Sequence, residues 1–321
     1  MSGGRTETPV VMVIFNRPDL ARRVMARVRE VEPRRLFVLA DGARDHVPAD
    51  KSRIAETRAV VDLVDWDCKV EADFSDRNLG CSGRIVSGLT KVFDAVEDAI
   101  VVEDDILPHP NFFRFCDELL PRYRDEPRVH AVTGAKFPCE PRTKPYSYRF
   151  SRMFNCWGWA GWRRAWRNVD TTLSSVPQFI SERRIEGLAQ SRLESLFYLN
   201  GFEQAYARKI EPWDWSVMFT AYVRRELFIV PDRNLVANIG WGPEATQHKD
   251  SNHILSDLPT FPMEFPLRHP ETLAADAEAD LGIYDMIGPL TGPRFVRSIR
   301  KRLRRRTRER FLREQAAESA A

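Results

Sequence analysis

Nothing in this 321-residue sequence is apolar for long enough to cross a bilayer: the longest purely apolar run is Val10 to Phe15, far short of the ~20 residues a spanning helix needs. The N-terminus has no charged segment leading into an apolar one, so no secretory signal is read and a cytoplasmic protein is expected. Cysteine is scarce and unpatterned. Cys68, Cys81, Cys116, Cys139 and Cys156 are odd in number and contain no CxxC pair, which argues against a disulfide framework and against a thiolate zinc site. Glycine is missing where a dinucleotide-binding enzyme needs it. The turn after the first apolar run reads Asn16-Arg-Pro-Asp19 with no GxGxxG, so a dehydrogenase is disfavoured. No fixed-period repeat is present either.

The charge is nearly balanced overall and sharply uneven along the chain. Residues 294–321 hold 11 Lys/Arg against 3 Asp/Glu, leaving 38 against 43 in residues 1–293. Within 294–313, Phe295, Ile299, Leu303 and Phe311 recur at multiples of four. That spacing predicts a basic amphipathic helix suited to an anionic membrane surface at the inner face of the membrane. A solvated tail, or one that binds nucleic acid nonspecifically, is the alternative; no specific nucleic acid is expected. Four prolines between Leu258 and Pro270 predict an extended linker. The expected organisation is a catalytic domain over 1–258, a proline-rich linker and extension over 259–293, and the tail over 294–321.

The first half alternates short β-branched runs with segments of helical spacing, the pattern of βαβ units and a mostly parallel sheet. Strands are predicted at Val10–Phe15, Leu36–Ala40, Cys68–Phe74, Ala99–Val102 and Val129–Thr133, with helices over 18–31, 52–64, 82–96 and 111–123. In open sheets of this kind ligands sit beyond the carboxyl ends of the strands, and those ends are polar here. The second half is dense in aromatics from Tyr146 to Trp166 and is expected to be mixed α+β.

The sharpest motif is Ala99-Ile-Val-Val-Glu-Asp-Asp-Ile106, an apolar strand running into three acidic residues. Adjacent carboxylates repel one another unless a cation neutralises them. Oxygen ligands at a strand end suit Mg²⁺ or Mn²⁺ bridging to a diphosphate, while the alternative is a solvated turn before the next helix.

With Phe15-Asn-Arg-Pro18, Ala40-Asp-Gly42, Arg77-Asn-Leu-Gly80, Val102-Glu-Asp-Asp105, Cys156-Trp-Gly-Trp-Ala-Gly-Trp162 and Trp213-Asp-Trp215 in that order, the chain resembles glycosyltransferases of GT-A fold. The likeness is to bacterial family-2-like enzymes and the related N-acetylglucosaminyltransferase I group, over roughly residues 9–250. It implies a Rossmann-like nucleotide-diphospho-sugar transferase with a nucleotide-binding half over about 9–135 and an acceptor half over about 136–258. It also implies Asp105 as direct metal ligand, Glu103 and Asp104 on the donor's ribose or sugar, and Asn16, Arg17, Asp41 and Arg84 along the nucleotide pocket. Asp214, between two tryptophans, is expected to be the base that takes the acceptor's proton in an inverting transfer; the competing reading is a helix N-cap. Glu203, Glu211 and Glu226 are the substitutes for that role. His248 is expected to be a second metal ligand, and Trp157, Trp159 and Trp213 to shape the acceptor site. The resemblance implies a nucleotide diphosphate sugar as donor, and a glycan, a lipid-linked sugar or a small molecule as acceptor. A sugar-nucleotide pyrophosphorylase is the enzymatic alternative, although its glycine-rich loop should follow the first strand and Gly3-Gly-Arg-Thr6 precedes it. A non-catalytic scaffold working through the basic tail is the other.

Overall fold

The computed structural model describes residues 5–139, 145–242, 255–287 and 294–319. The first half runs β1 (Val10–Ile14), α1 (Pro18–Arg29), β2 (Arg35–Ala40), α2 (Asp50–Arg58), β3 (Lys69–Phe74), α3 (Gly80–Ala95), β4 (Asp98–Glu103), β5 (Ile106–Pro108), α4 (Pro110–Arg122) and β6 (Val129–Thr133). The second adds β7 (Tyr148–Ser151), β8 (Trp159–Trp162), α5 (Arg163–Trp166), α6 (Val176–Ser181), α7 (Arg192–Tyr206), α8 (Trp213–Arg224), β9 (Leu227–Pro231), β10 (Val236–Asn238), α9 (Ala277–Ile287) and α10 (Arg294–Ser319).

Eight strands form one sheet in the order β3-β2-β1-β4-β8-β6-β9-β7. The pairings β3-β2, β2-β1, β1-β4 and β6-β9 are parallel, whereas β8 lies antiparallel between β4 and β6 and β7 antiparallel on β9. The fold is α/β with a Rossmann-like central sheet flanked by helices, as expected. Alternation along the strands sorts the two faces. Val10, Met12, Ile14, Leu36, Val38, Ile100 and Val102 pack with α1 and α4, while Val11, Phe37, Leu39, Ala99 and Val101 pack with α3, α7 and α8. Covering both faces explains why these strands read as continuous apolar runs rather than alternating ones.

The helices follow local rules. In α1, Pro18 stands in the first turn beside Asp19, and Arg27 and Arg29 close the last turn; each placement suits the helix ends. Ala21, Val24, Met25 and Val28 make its buried stripe. Before α4, the Nδ1 of His109 accepts from the Asn111 N–H at 3.1 Å and caps the helix.

The segment after β10 departs from the linker expectation. Met263 N–H donates to Asn111 Oδ1 at 2.9 Å, Phe261 N–H to the Asn234 carbonyl at 2.9 Å, and Leu258, Phe261, Met263 and Leu267 are buried. The stretch forms no helix or strand, and its apolar side chains fasten it to the body. In α9, Asp280 accepts from Arg149 at 3.0 Å, Ser151 Oγ at 2.6 Å and Arg152 N–H at 2.8 Å, all inside the protein. Asp280→Ala would remove the buried carboxylate that Arg149, Ser151 and the Arg152 N–H all share, so urea unfolding should show a loss of about 3 kcal/mol.

The basic segment forms α10 as expected, but its apolar stripe is divided. Phe311 is buried edge-on against Phe261, with ring centroids 6.5 Å apart, and Arg233 Nη1 donates to the Gln315 carbonyl at 3.2 Å. Leu303 is exposed, and the side chains of Phe295 and Ile299 lie outside the described ones. Phe311 therefore serves the body rather than a membrane-facing stripe. Among the described residues no helix is long and apolar enough to cross a membrane.

Candidate active site

The carboxyl ends of β1, β2 and β4 open into a cleft of about 560 Å³, the place where open α/β sheets bind ligands. One wall is the acidic strand end. The Asp104 carboxylate is buried and accepts the Phe15 N–H at 2.8 Å, tying the end of β4 to the end of β1. Burial, and then the neighbouring Asp105 charge, push its pKa up to about 7. Glu103 is raised well above the ordinary carboxylate range, first by burial and then by Asp105, Asp104 and Asp214. Asp105 Oδ2 meets Arg17 Nη1 at 2.7 Å. The loop after β10 covers this pair: Ile239 N–H donates to the Asp105 carbonyl at 2.8 Å. A Cβ on Gly240 would lie 2.1 Å from Asp105 Oδ2 and 2.7 Å from Arg17 Nη1, so glycine is what permits the approach.

The facing wall is the first turn of α8. Trp213 packs edge-on against Phe154 at 6.2 Å, and Trp215 lies tilted against Phe197 at 5.7 Å. Gly201 of α7 makes room for the second ring, since a Cβ there would sit 1.9 Å from it. Between the two tryptophans, Asp214 keeps a partly exposed face in the cleft. The surrounding protein pushes its carboxyl up to about 7, opposed by the N–H groups of Trp215 and of Asp214 itself and aided by Glu211. The N-cap position belongs to Pro212, so Asp214 lies inside the helix's first turn rather than capping it. Of the three substitute glutamates, Glu211 alone lines the cleft, held by the backbone N–H and the hydroxyl of Ser82. Glu226 is buried against His130 at 2.5 Å, and Glu203 is exposed on α7.

Glu103, Asp104, Asp105, Arg17, Asp41, Arg84, Asp214, Trp157 and Trp213 all line the cleft. Two expectations need correction, and two cleft residues are already engaged within the protein. Asn16 turns away and donates to Asp50 Oδ1 at 2.8 Å. Trp159 is core, stacked on Trp166 at 6.3 Å and edge-on to Phe154 at 5.7 Å, because Gly158 at φ +62° breaks the alternation that would have put it beside Trp157. Arg84 reaches the cleft floor, but its guanidinium pairs with Asp73 at 2.9 Å and donates to the Asp73 carbonyl at 2.6 Å. Asp41 is likewise engaged: its carboxylate accepts from the N–H groups of Gly42, Leu79 and Gly80 and from Asn78 Nδ2. His248 lies outside the described residues.

Two cleft residues escaped the sequence reading. Arg44 lies in an ordinary turn sequence, and Asn155 is buried with Oδ1 accepting from the Trp157 N–H at 3.1 Å. Cys81 and Cys156 also line the cleft, where burial and then nearby carboxylates push both thiols up. They stay protonated and are poor nucleophiles.

Among the described residues no three of His, Cys, Asp and Glu converge as a complete metal-ligand group. The donor set nevertheless fits a hard cation. Glu103 and Asp105 offer carboxylate oxygens at a strand end, Asp105 Oδ1 makes no hydrogen bond among the described residues, and Arg17 is the one cation among them that pairs with this acidic cluster. Magnesium is typically held by one or two carboxylates, with substrate phosphates completing the shell.

No protein-family model matches the chain, and no curated protein matches it. Solved structures align loosely. UDP-glucose pyrophosphorylase complexed with UDP-glucose is 9% identical over 45% of this chain, with a TM-score of 0.27; the chain spans 62% of that protein's length. Mouse xyloside xylosyltransferase 1 in its apo form is 13% identical over 69% of this chain and 84% of its own, with a TM-score of 0.36. Mannose-1-phosphate geranyltransferase from Thermus thermophilus is 11% identical over 70% and 73%, with a TM-score of 0.33. Likenesses this loose assign no chemistry to any residue here.

Proposed function

We propose that the chain is a metal-dependent glycosyltransferase that moves a hexosyl or N-acetylhexosaminyl group from a nucleotide diphosphate sugar to an acceptor hydroxyl with inversion. The observation that carries this reading is Asp214, a carboxylate raised to about 7 that shares one cleft with Glu103, Asp104 and Asp105. The series of motifs resembling GT-A enzymes agrees with it.

In this reading Asp214 takes the proton of the acceptor hydroxyl as that oxygen bonds to the anomeric carbon of the sugar. The bond from that carbon to the diphosphate breaks on the opposite face, and its electron pair leaves with the diphosphate. Arg17 donates to the leaving group, a role that suits a guanidinium. Asp105 would hold Mg²⁺ or Mn²⁺, which supplies further neutralisation of the diphosphate when bound, and Glu103 beside it would face the donor's ribose or sugar. Trp157, Trp213 and Trp215 offer ring faces and indole edges to an acceptor sugar.

A thermal-shift screen of nucleotide sugars with and without Mn²⁺ tests the class. A donor present at 100 times its Kd stabilises by about 2.7 kcal/mol, equivalent to about 5 °C for a chain of this size. The expected result is a metal-dependent rise with one family of donors, accompanied by slow release of free sugar. Release of pyrophosphate from a nucleoside triphosphate and a sugar phosphate would instead establish the pyrophosphorylase reading.

A further inference from the structure

At the β2 end of the cleft the polar groups are largely engaged within the protein. The Asp41 carboxylate is filled by the 78–80 turn, and Asn78 Nδ2 donates to Asp41 and to the Gly42 carbonyl at 2.8 Å. Arg44 is different. Its Nε and Nη2 are held by the two oxygens of Asp50 at 2.6 and 2.9 Å, and its backbone N–H reaches the same carboxylate at 3.2 Å. Asp50 is buried, receives a further bond from Asn16, and is held down to about 2 chiefly by Arg44. It therefore stays anionic and the fork stays fixed. The guanidinium carbon lies 5.3 Å from the Phe15 ring centroid, the side chain is 34% exposed and lines the cleft, and Nη1 has no partner among the described residues.

We infer that Arg44, stacked on Phe15 and locked by Asp50, reads the nucleotide base of the donor through a carbonyl oxygen. This rests on the transferase reading above. The diphosphate belongs at the β4 end with Arg17 and Asp105, and β1 lies between β2 and β4. Two strand spacings make ~10 Å, a span that a nucleoside diphosphate lying across the strand ends covers, so its base arrives at Arg44. A planar guanidinium held over an aromatic face and fixed on one edge presents its remaining N–H group as an in-plane donor. Uracil O4 and guanine O6 are acceptors, whereas adenine presents an amino donor at the corresponding edge. A fixed N–H donor accepts the first two and rejects the third. The lock also explains Asn16: it turns from the cleft to hold the residue that orients Arg44.

Calorimetric titration of UDP, GDP and ADP with Mn²⁺ into wild type, Arg44→Ala and Arg44→Lys tests the inference. A hydrogen bond from a charged donor corresponds to about 10- to 100-fold in affinity. Wild type should prefer UDP or GDP over ADP by that factor. Arg44→Ala should lose the preference by weakening the favoured diphosphate to the level of ADP, with ADP binding unchanged. Arg44→Lys keeps the charge without the fork and should lose it too, and thermal melts confirm that each variant is folded. A preference that survives in both variants, or a wild type with none, overturns the assignment of Arg44 while leaving the transferase reading standing. A wild type that binds none of the three diphosphates overturns both.

Discussion

Asp214→Asn is expected to bind donor as wild type does and to transfer sugar about 10²- to 10⁴-fold more slowly, the range a general base contributes. The amide keeps the shape of the carboxylate and its place between Trp213 and Trp215, but it cannot take a proton. Single-turnover transfer measured beside donor titration separates the two effects. The pH profile adds a second reading. Burial raises the Asp214 pKa to about 7, so below that pH the group is protonated and idle, and the rate should climb as pH rises through about 7. The asparagine variant should lose that limb. If transfer stays within a few-fold of wild type, the base is elsewhere, and Glu211 is the carboxylate closest in role.

Asp105→Ala is expected to abolish metal-dependent donor binding in a protein that still folds. Asp105 lines the cleft, paired with Arg17 and with Oδ1 without a hydrogen bond among the described residues, so its removal leaves no deep cavity. It does remove one oxygen from the cation's shell and frees Arg17, and a cation neutralising a leaving diphosphate is worth several kcal/mol. Titration of the nucleotide diphosphate should show Mn²⁺ dependence in wild type and none in the variant. Equal affinity with and without Mn²⁺ in both proteins would remove the metal from the reading and leave Arg17 as the cation facing the diphosphate.

Much of the first half was legible because local rules act alone there. β1, β2, β4 and β6 are short β-branched runs covered on both faces, and the acidic triplet at the end of β4 has no economical place in a protein except a cleft or open solvent. β7 and β8 were not legible: Tyr148–Ser151 and Trp159–Trp162 are fully buried, and an aromatic run beside glycines carries no strand period. The misplacement of Asn16 has a simple physical origin. Neighbours in sequence do not share a direction, so Phe15 and Arg17 face the cleft while Asn16 faces Asp50. Arg44 was invisible for the opposite reason. Its meaning depends on Phe15 and Asp50, which only the folded chain brings to it.

The antiparallel strand between β4 and β6 bears on modularity. Ala99 and Ala131 both pair with Gly161, so a strand from the later half of the chain stitches together two strands of the earlier half. A gene fragment ending near residue 135 would leave Val101 and Ala131 on bare edges where Trp159 and Gly161 belong, and exposed edges of apolar strands invite aggregation. The earlier and later parts of the sheet are therefore not separable cassettes. Evolution or an engineer can exchange the loops around this cleft, but cannot transplant one half without the other.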